Sequence, residues 1–283
     1  MKKTLQMGDL FYPESLHEHL YRLVDWKNAL LGSAYHCEAI SMEQMQAWLD
    51  TYGSVLKPYI TDVGQVLHEA LSCGKNVLME AQLGALRDLD YGIYPYTSSS
   101  SPLAGYAPIG CGLPSIKLDK VVGVVKAYSS CVGAGPFVGE LDGAEGDALR
   151  EAGGEYGAAT GRSRRVAYFD LVATKHGIEL QGASDIALTK MDVLSHMPRI
   201  PVIRAYEVDG KEITRFPATQ LLDRAEPVYE TLPGWQCEIS HIRKFEDLPQ
   251  AAQDYVLYAE KQLGVFIKYV SVGPEREQII IRG

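Results

Sequence analysis

Asp170-Leu-Val-Ala-Thr-Lys-His-Gly-Ile-Glu-Leu-Gln-Gly-Ala-Ser-Asp-Ile-Ala-Leu-Thr-Lys-Met-Asp192 decides the fold class. A helical pattern near Asp170–His176 gives way to the apolar run Ile186–Leu188, which leaves through a polar Thr-Lys-Met-Asp loop. The same texture repeats outward in both directions. Short apolar runs at Val77–Met79, Val121–Val125, Phe266–Val270 and Ile279–Ile281 are interleaved with helical patterns near Ala144–Ala152 and Pro249–Leu263. Strands alternating with helices predict an α/β fold with a mixed, largely parallel sheet, flanking helices and ligand sites at loop ends. Pro201–Tyr206 and Lys211–Phe216 flank Val-Asp-Gly and predict an added antiparallel hairpin.

Residues 1–76 read as a helical region within a single domain spanning 1–283. Leu16, Leu20, Leu23 and Val24 recur at helical spacing behind Pro13, and Gly32 stands where that helix would stop. Ser41 and Gln44 have the spacing of a capping box, with Met45, Trp48, Leu49 and Tyr52 on one face behind it. A third helix is expected from Thr61 to Cys73, ending at Gly74. These stripes read as packing surfaces.

The bulk numbers exclude several classes. With 283 residues, 46% of them hydrophobic, the chain can bury a sizeable core, and its net charge of −9 argues against a general nucleic-acid surface. Five scattered cysteines with no Cys-x-x-Cys pair argue against a disulfide frame or a cysteine zinc site, and a reducing cytoplasm fits. The opening residues are too few and too polar for a signal peptide, and no apolar run is long enough to span a membrane. The histidines offer no metal pair. His17 and His19 would face different ways on a helix, and His176 has no evident carboxylate partner.

Four loops concentrate chemistry. Residues 88–101, Asp-Leu-Asp-Tyr-Gly-Ile-Tyr-Pro-Tyr-Thr-Ser-Ser-Ser-Ser, offer hydroxyls and N–H groups that could cradle an anion, or simply form a serine-rich turn. Cys131-Val-Gly-Ala-Gly-Pro-Phe137 has small residues that admit either a ligand or tight packing. Gly157-Ala-Ala-Thr-Gly-Arg-Ser-Arg-Arg165 sets Arg162, Arg164 and Arg165 behind a small-residue turn. Guanidinium forks there could bind carboxylate or phosphate, and an extended segment would put Arg162 and Arg164 on one side; a solvated basic turn is the alternative. Finally, Lys190 and Asp192 follow an apolar strand, where a carboxylate could accept from guanine and a lysine stem could cover the ring; Lys–Asp pairs also occur on ordinary surfaces.

Taken in order with Pro227-Val-Tyr-Glu-Thr-Leu-Pro-Gly-Trp235 and Ser271-Val-Gly-Pro-Glu-Arg276, these loops make the sequence from Gly8 onward resemble the adenylosuccinate synthetases. The resemblance implies a P-loop-NTPase-like synthetase fold and formation of a C–N bond between IMP and L-aspartate, driven by GTP with magnesium. It also implies a cytoplasmic homodimer without nucleic-acid or membrane partners. Carried over residue by residue, Gly157, Ala158, Ala159, Thr160, Arg162 and Arg164 would receive aspartate. Ser98, Val132, Gln82, Leu83 and Lys2 would face IMP. Arg164, Lys190, Asp192, Ser271, Gly273 and Pro274 would face GTP.

The departures carry equal weight. The family's Gly-Asp-Glu-Gly-Lys-Gly-Lys loop and its downstream histidine have no counterpart among these residues, so the resemblance places the catalytic base, the general acid and the magnesium ligands elsewhere. It assigns no catalytic or metal-binding residue here, and the first strands of the sheet are expected to be missing. The chain is accordingly expected to be inactive alone and to need a separate amino-terminal segment; the alternative is a catalytically dead remnant that binds nucleotide and dicarboxylate. Ala159 stands where threonine is common, Pro102 and Leu103 replace a threonine pair, and Tyr168 replaces a tryptophan and reads as packing.

Overall fold

The computed structural model describes residues 3–283, so the Lys2 expectation lies outside the described residues. The chain divides into two compact units, one comprising residues up to Val77 with Cys111–Leu113, the other Leu78–Gly110 with Pro114–Gly283.

The first unit is helical. Helix α1 (Pro13–Leu30) starts on a proline whose missing N–H is no loss at that position. It buries Leu16, Leu20 and Val24 against Leu49 of α2 (Met42–Leu56). Gly32 does not end α1. The backbone runs on into a wider turn, Leu31–Tyr35, and stops at His36 in the left-handed region. The Ser33 hydroxyl donates to the Ala29 carbonyl at 2.6 Å along the way. Asn28 then pins the returning loop through both its amide groups to Ile40. The capping box forms as expected: Gln44 N–H donates to Ser41 Oγ at 3.1 Å, and Ser41 N–H donates to Gln44 Oε1 at 2.8 Å. Only part of the α2 stripe is core, because Trp48 and Tyr52 are exposed and pack on each other. Helix α3 (Val63–Ser72) is capped by Asp62, whose carboxylate accepts from Gln65 N–H at 3.0 Å, and gives way at Gly74.

The second unit holds one short turn, α4 (Ala107–Gly110), and then the sheets. Its elements run β1 (Val122–Lys126), β2 (Ser129–Cys131), α5 (Gly143–Gly153), β3 (Arg165–Ala167), β4 (Phe169–Asp170), α6 (Leu171–Gln181) and β5 (Asp185–Thr189). They continue with β6 (Arg199–Val208), β7 (Lys211–Ile213), α7 (Thr219–Leu222), β8 (Glu226–Pro233), α8 (Gln250–Leu263), β9 (Ile267–Ser271) and β10 (Ile279–Ile281). The central sheet has the order β1-β5-β9-β10, parallel across the first two pairings and antiparallel at β10. A second sheet pairs β6 with β4 in parallel and with β7 and β8 antiparallel, while β2 and β3 form a small ribbon.

This is the α/β architecture the sequence indicates, with the expected hairpin between β6 and β7. Asp209 and Gly210 both take positive φ in its turn, the combination a tight two-residue hairpin loop demands. One expected strand is absent: Val77–Met79 pairs with nothing among the described residues, and Leu78 is 93% exposed. Three apolar residues without a partner strand have no ladder to join. The main core lies between the central sheet and its helices. Ile186 and Leu188 of β5 and Ile267 and Val270 of β9 pack with Tyr255, Val256 and Ala259 of α8. Tyr168, read as packing, is buried in the same cluster and meets Tyr229 edge-on. A second core collects Val172, Ile203, Tyr206 and Leu222. No described helix is long and apolar enough to cross a membrane.

Candidate functional site

The carboxyl ends of the parallel strands β1 and β5 carry a cluster of charged side chains. Lys126 ends β1, Tyr128 follows it, and Lys190 and Asp192 follow β5. Lys190 adopts a left-handed backbone at φ 62°, a conformation that costs a non-glycine residue about 1 kcal/mol and that turns the chain sharply off the strand. Glu155, just past the end of α5, is fully buried beneath these groups. Its Oε1 accepts from Lys126 Nζ at 2.7 Å and from the Tyr128 hydroxyl, and its Oε2 accepts from Arg164 Nη1 at 3.0 Å. Lys190 Nζ stands 3.9 Å from Oε1 and donates to the Gly153 carbonyl at 2.6 Å.

Three cations thus share one carboxylate. Burial would raise the Glu155 pKa, but the Lys126 and Tyr128 hydrogen bonds and the charges of Lys126 and Lys190 hold it below its ordinary value. Lys126 is also pushed down, by burial first and then by the nearby charges of Lys190 and Arg164, which together outweigh what Glu155 restores. The cluster keeps an excess of positive charge, which an anionic ligand would neutralise.

The loop from Gly157 to Arg165 closes on itself. Gly157 N–H donates to the Arg162 carbonyl and Gly161 N–H to the Gly157 carbonyl, each at 2.8 Å. Tyr156 and Ser163 form an isolated bridge, and Ala158, Ala159 and Thr160 lie exposed at the tip. The three arginines part company. Arg162 is exposed; Arg164 turns inward to Glu155, with its Nε buried and unpartnered; Arg165 pairs with Glu140. Arg165 also donates to the carbonyls of Gly133 at 3.3 Å and Gly135 at 2.8 Å, so it braces the 131–137 loop.

Beyond β5, Asp192 and Pro274 line one cleft of about 650 Å³, with Ser195, Gln236, Glu238 and Gln278 among its other walls. Asp192 Oδ1 is buried and has no hydrogen-bond partner. Burial raises this carboxyl above its ordinary value, and Glu238 adds to the effect against Lys190 and nearby N–H groups. Ser271 and Gly273 sit in the strand end and turn behind Pro274, the Ser271 hydroxyl donating to the Gly273 carbonyl at 3.0 Å. The Pro-Gly-Trp block supports the cleft. Gly234 abuts the Met197 carbonyl where a Cβ would collide, and Trp235 Nε1 donates to Ser195 Oγ at 3.0 Å.

The serine-rich loop is organised by two residues that sequence reasoning left unassigned. Asp88 is buried, and its carboxylate accepts from the N–H groups of Asp90 and Tyr91 and from the Ser101 hydroxyl. Burial opposes its ionisation, yet Ser101 and the backbone donors pull its pKa below the ordinary value. Arg87 donates to the carbonyls of Tyr96 at 2.6 Å, Ala134 at 3.2 Å and Val132 at 2.9 Å, and to Cys131 Sγ. It thereby ties the serine loop to the 131–137 loop and brings Ser98 and exposed Val132 onto adjoining segments. Gln82 and Leu83 lie on an exposed turn, with Leu83 itself at positive φ. His176, by contrast, is stacked on Phe216, and burial lowers its pKa.

A largely parallel sheet with an excess of cations and an adjoining cleft at its strand ends defines an α/β protein with an anion-receptive face. The comparisons identify it further. Residues 1–280 match the family model described as adenylosuccinate synthetase, and the chain belongs to that family. It is 44% identical over 98% of its length to the adenylosuccinate synthetase of Salinibacter ruber, covering 63% of that protein. It is 42% identical over 97% of its length to that of Streptococcus gordonii, covering 64%. The structure of fully ligated adenylosuccinate synthetase from Plasmodium falciparum matches all of this chain and 67% of its own, at TM-score 0.92 and 33% identity. The chain therefore spans 63–64% of the length of these two bacterial relatives.

Proposed function

We propose that this chain supplies the aspartate- and guanine-binding portion of a cytoplasmic, homodimeric ligase that joins IMP and L-aspartate to form adenylosuccinate, using GTP. The observation that carries the reading is the buried, unpartnered Asp192 Oδ1 in the wall of the cleft beside Pro274. A guanine seated there would donate its N1–H and 2-amino hydrogens to Asp192, with the Lys190 stem over the ring and Ser271 and Gly273 behind it. Arg162 and Arg164 would take the carboxylates of aspartate, with Gly157, Ala158, Ala159 and Thr160 closing around them. Ser98 would contact the IMP phosphate, with Val132, Gln82 and Leu83 nearby.

In this reading GTP phosphorylates the 6-oxygen of IMP, releasing GDP. The aspartate amine then attacks C6 and phosphate leaves with the oxygen, so the positive face serves to stabilise charge on the transferring group. Among the described residues no three His, Cys, Asp or Glu side chains converge. The ion's ligands belong, in our reading, with a base and an acid supplied from outside this stretch. Losing such a base and acid removes a factor of about 10² to 10⁴ each, so the chain alone is expected to bind without turnover.

The test is an ultraviolet assay of adenylosuccinate formation from IMP, L-aspartate and GTP. We expect no turnover by the purified chain, and turnover once the amino-terminal part of a family relative is supplied in trans, abolished by Arg162→Leu. Turnover by the chain alone would put the base and acid within these residues and overturn the division of labour. Failure of GDP to bind would overturn the reading of the cleft.

A further inference from the structure

We propose that Glu155 is a positioning residue that sets the guanine-facing Lys190 and the loop residue Arg164 from a single buried carboxylate. The inference rests on the reading of the cleft and loop given above. Glu155 is fully buried, so it acts only through its neighbours. Each of its polar atoms is committed. Oε1 takes Lys126 and Tyr128 and faces Lys190; Oε2 takes Arg164; the backbone carbonyl accepts from Arg164 N–H at 2.8 Å. Arg164 is therefore gripped twice, by side chain and by backbone, and points its unpartnered Nε into the same interior. Lys190 is gripped by the Gly153 carbonyl two residues before Glu155. The segment 153–155 is thus the common mount for one residue from each proposed subsite, and displacement of either residue is felt at the other. Lys126 and Tyr128 fix the carboxylate through Oε1, and Lys126 is itself steadied by Ser130 Oγ at 2.6 Å.

Charge and position predict opposite signs, which makes the proposal decidable. Glu155→Gln removes a negative charge from beneath the site, and charge alone would therefore tighten an anionic nucleotide. Loss of position would weaken it, because Lys190 no longer holds its place over the base. The experiment is calorimetric titration of the full chain with GDP, repeated in the Lys190→Met background. We expect Glu155→Gln to weaken GDP about tenfold, through loss of the charge that faces Lys190 at 3.9 Å and of the carboxylate that steadies the 153–155 segment, and to add almost nothing once Lys190 is gone. Unchanged or tighter GDP binding in Glu155→Gln, or a full additional loss in Lys190→Met, overturns the proposal while leaving the cleft reading intact. A wild-type chain that binds no GDP overturns both. Should Glu155→Gln fail to fold, Tyr128→Phe removes only the hydroxyl that steadies the carboxylate. An approximately threefold weaker GDP affinity in that variant supports the proposal, and a lowered melting temperature with unchanged affinity overturns it.

Discussion

At the scale of single residues, Asp170 shows how one carboxylate can serve structure and still oppose stability at neutral pH. Its Oδ1 accepts from Ala173 N–H at 2.9 Å and so caps α6, while the Tyr206 hydroxyl donates to Oδ2. Burial pushes the carboxyl up from 3.8 to about 6, against the pull of these donors. A pKa raised on folding means that the native state binds the proton more tightly than the unfolded chain does. The contribution is full below about pH 4 and is lost as pH rises through about 6. Asparagine at this position can still cap the helix but does not titrate. Urea denaturation from pH 4 to 7 should therefore show wild type losing stability relative to Asp170→Asn, by on the order of 2–3 kcal/mol. A constant difference across that range would mean that Asp170 stays ionised in the fold. Gly135 poses a steric counterpart. It sits at φ 111°, and a Cβ there would lie 2.7 Å from the Tyr96 ring. Gly135→Ala should cost about 1–3 kcal/mol, read as a lowered melting temperature. At this glycine, close packing against Tyr96 accounts for the small residue.

Elements differ in how far local sequence determines them. The capping box of α2 spans four residues, and Ser41→Ala should destabilise the helical unit by about 1 kcal/mol in urea unfolding, with Ser41→Asp keeping most of the wild-type stability. Because such devices involve neighbours in the chain, they were legible: the cap at Ser41, the Asp209-Gly210 turn and the stop at Gly74 all lie where residue chemistry alone puts them. The apolar runs at β1, β5, β9 and β10 become strands because each meets a partner in the ladder. Val77–Met79 was misread because a strand exists only through its partner, which a local run cannot reveal. Gly32 was misread because a glycine permits a helix end without compelling one. The same division holds in the candidate site. Lys190 and Asp192 stand two residues apart and were visible together. The Arg87–Cys131 contact spans 44 residues and the Lys126–Glu155 contact 29, distances across which spacing carries no information. Glu155, two residues before the arginine loop, was left without a role, since nothing in its neighbourhood announces that three cations converge on it.

On the scale of the whole molecule, the decisive feature is the outer edge of the central sheet. Strand β1 pairs with β5 on one side and with no strand on the other among the described residues. Val122 and Val124 share one face of it, and Val124 is 74% exposed. In a parallel sheet both faces and both neighbours are ordinarily covered, so a valine-bearing open edge is a template for pairing with another chain. We therefore expect the purified 283-residue chain to self-associate at micromolar concentration, seen as a rising weight-average mass in light scattering. Two manipulations should separate the cause from general stickiness. Val124→Lys places a charge on the exposed face and should lower the scattering mass without changing the helical signal, because β5 and its core contacts are untouched. The amino-terminal part of a family relative, added in trans, should lower it in wild type and much less in Val124→Lys if both act at this edge. A monodisperse, cooperatively melting wild-type chain would show that the edge is already protected. Equal rescue of both proteins by the added segment would place its docking elsewhere on the molecule.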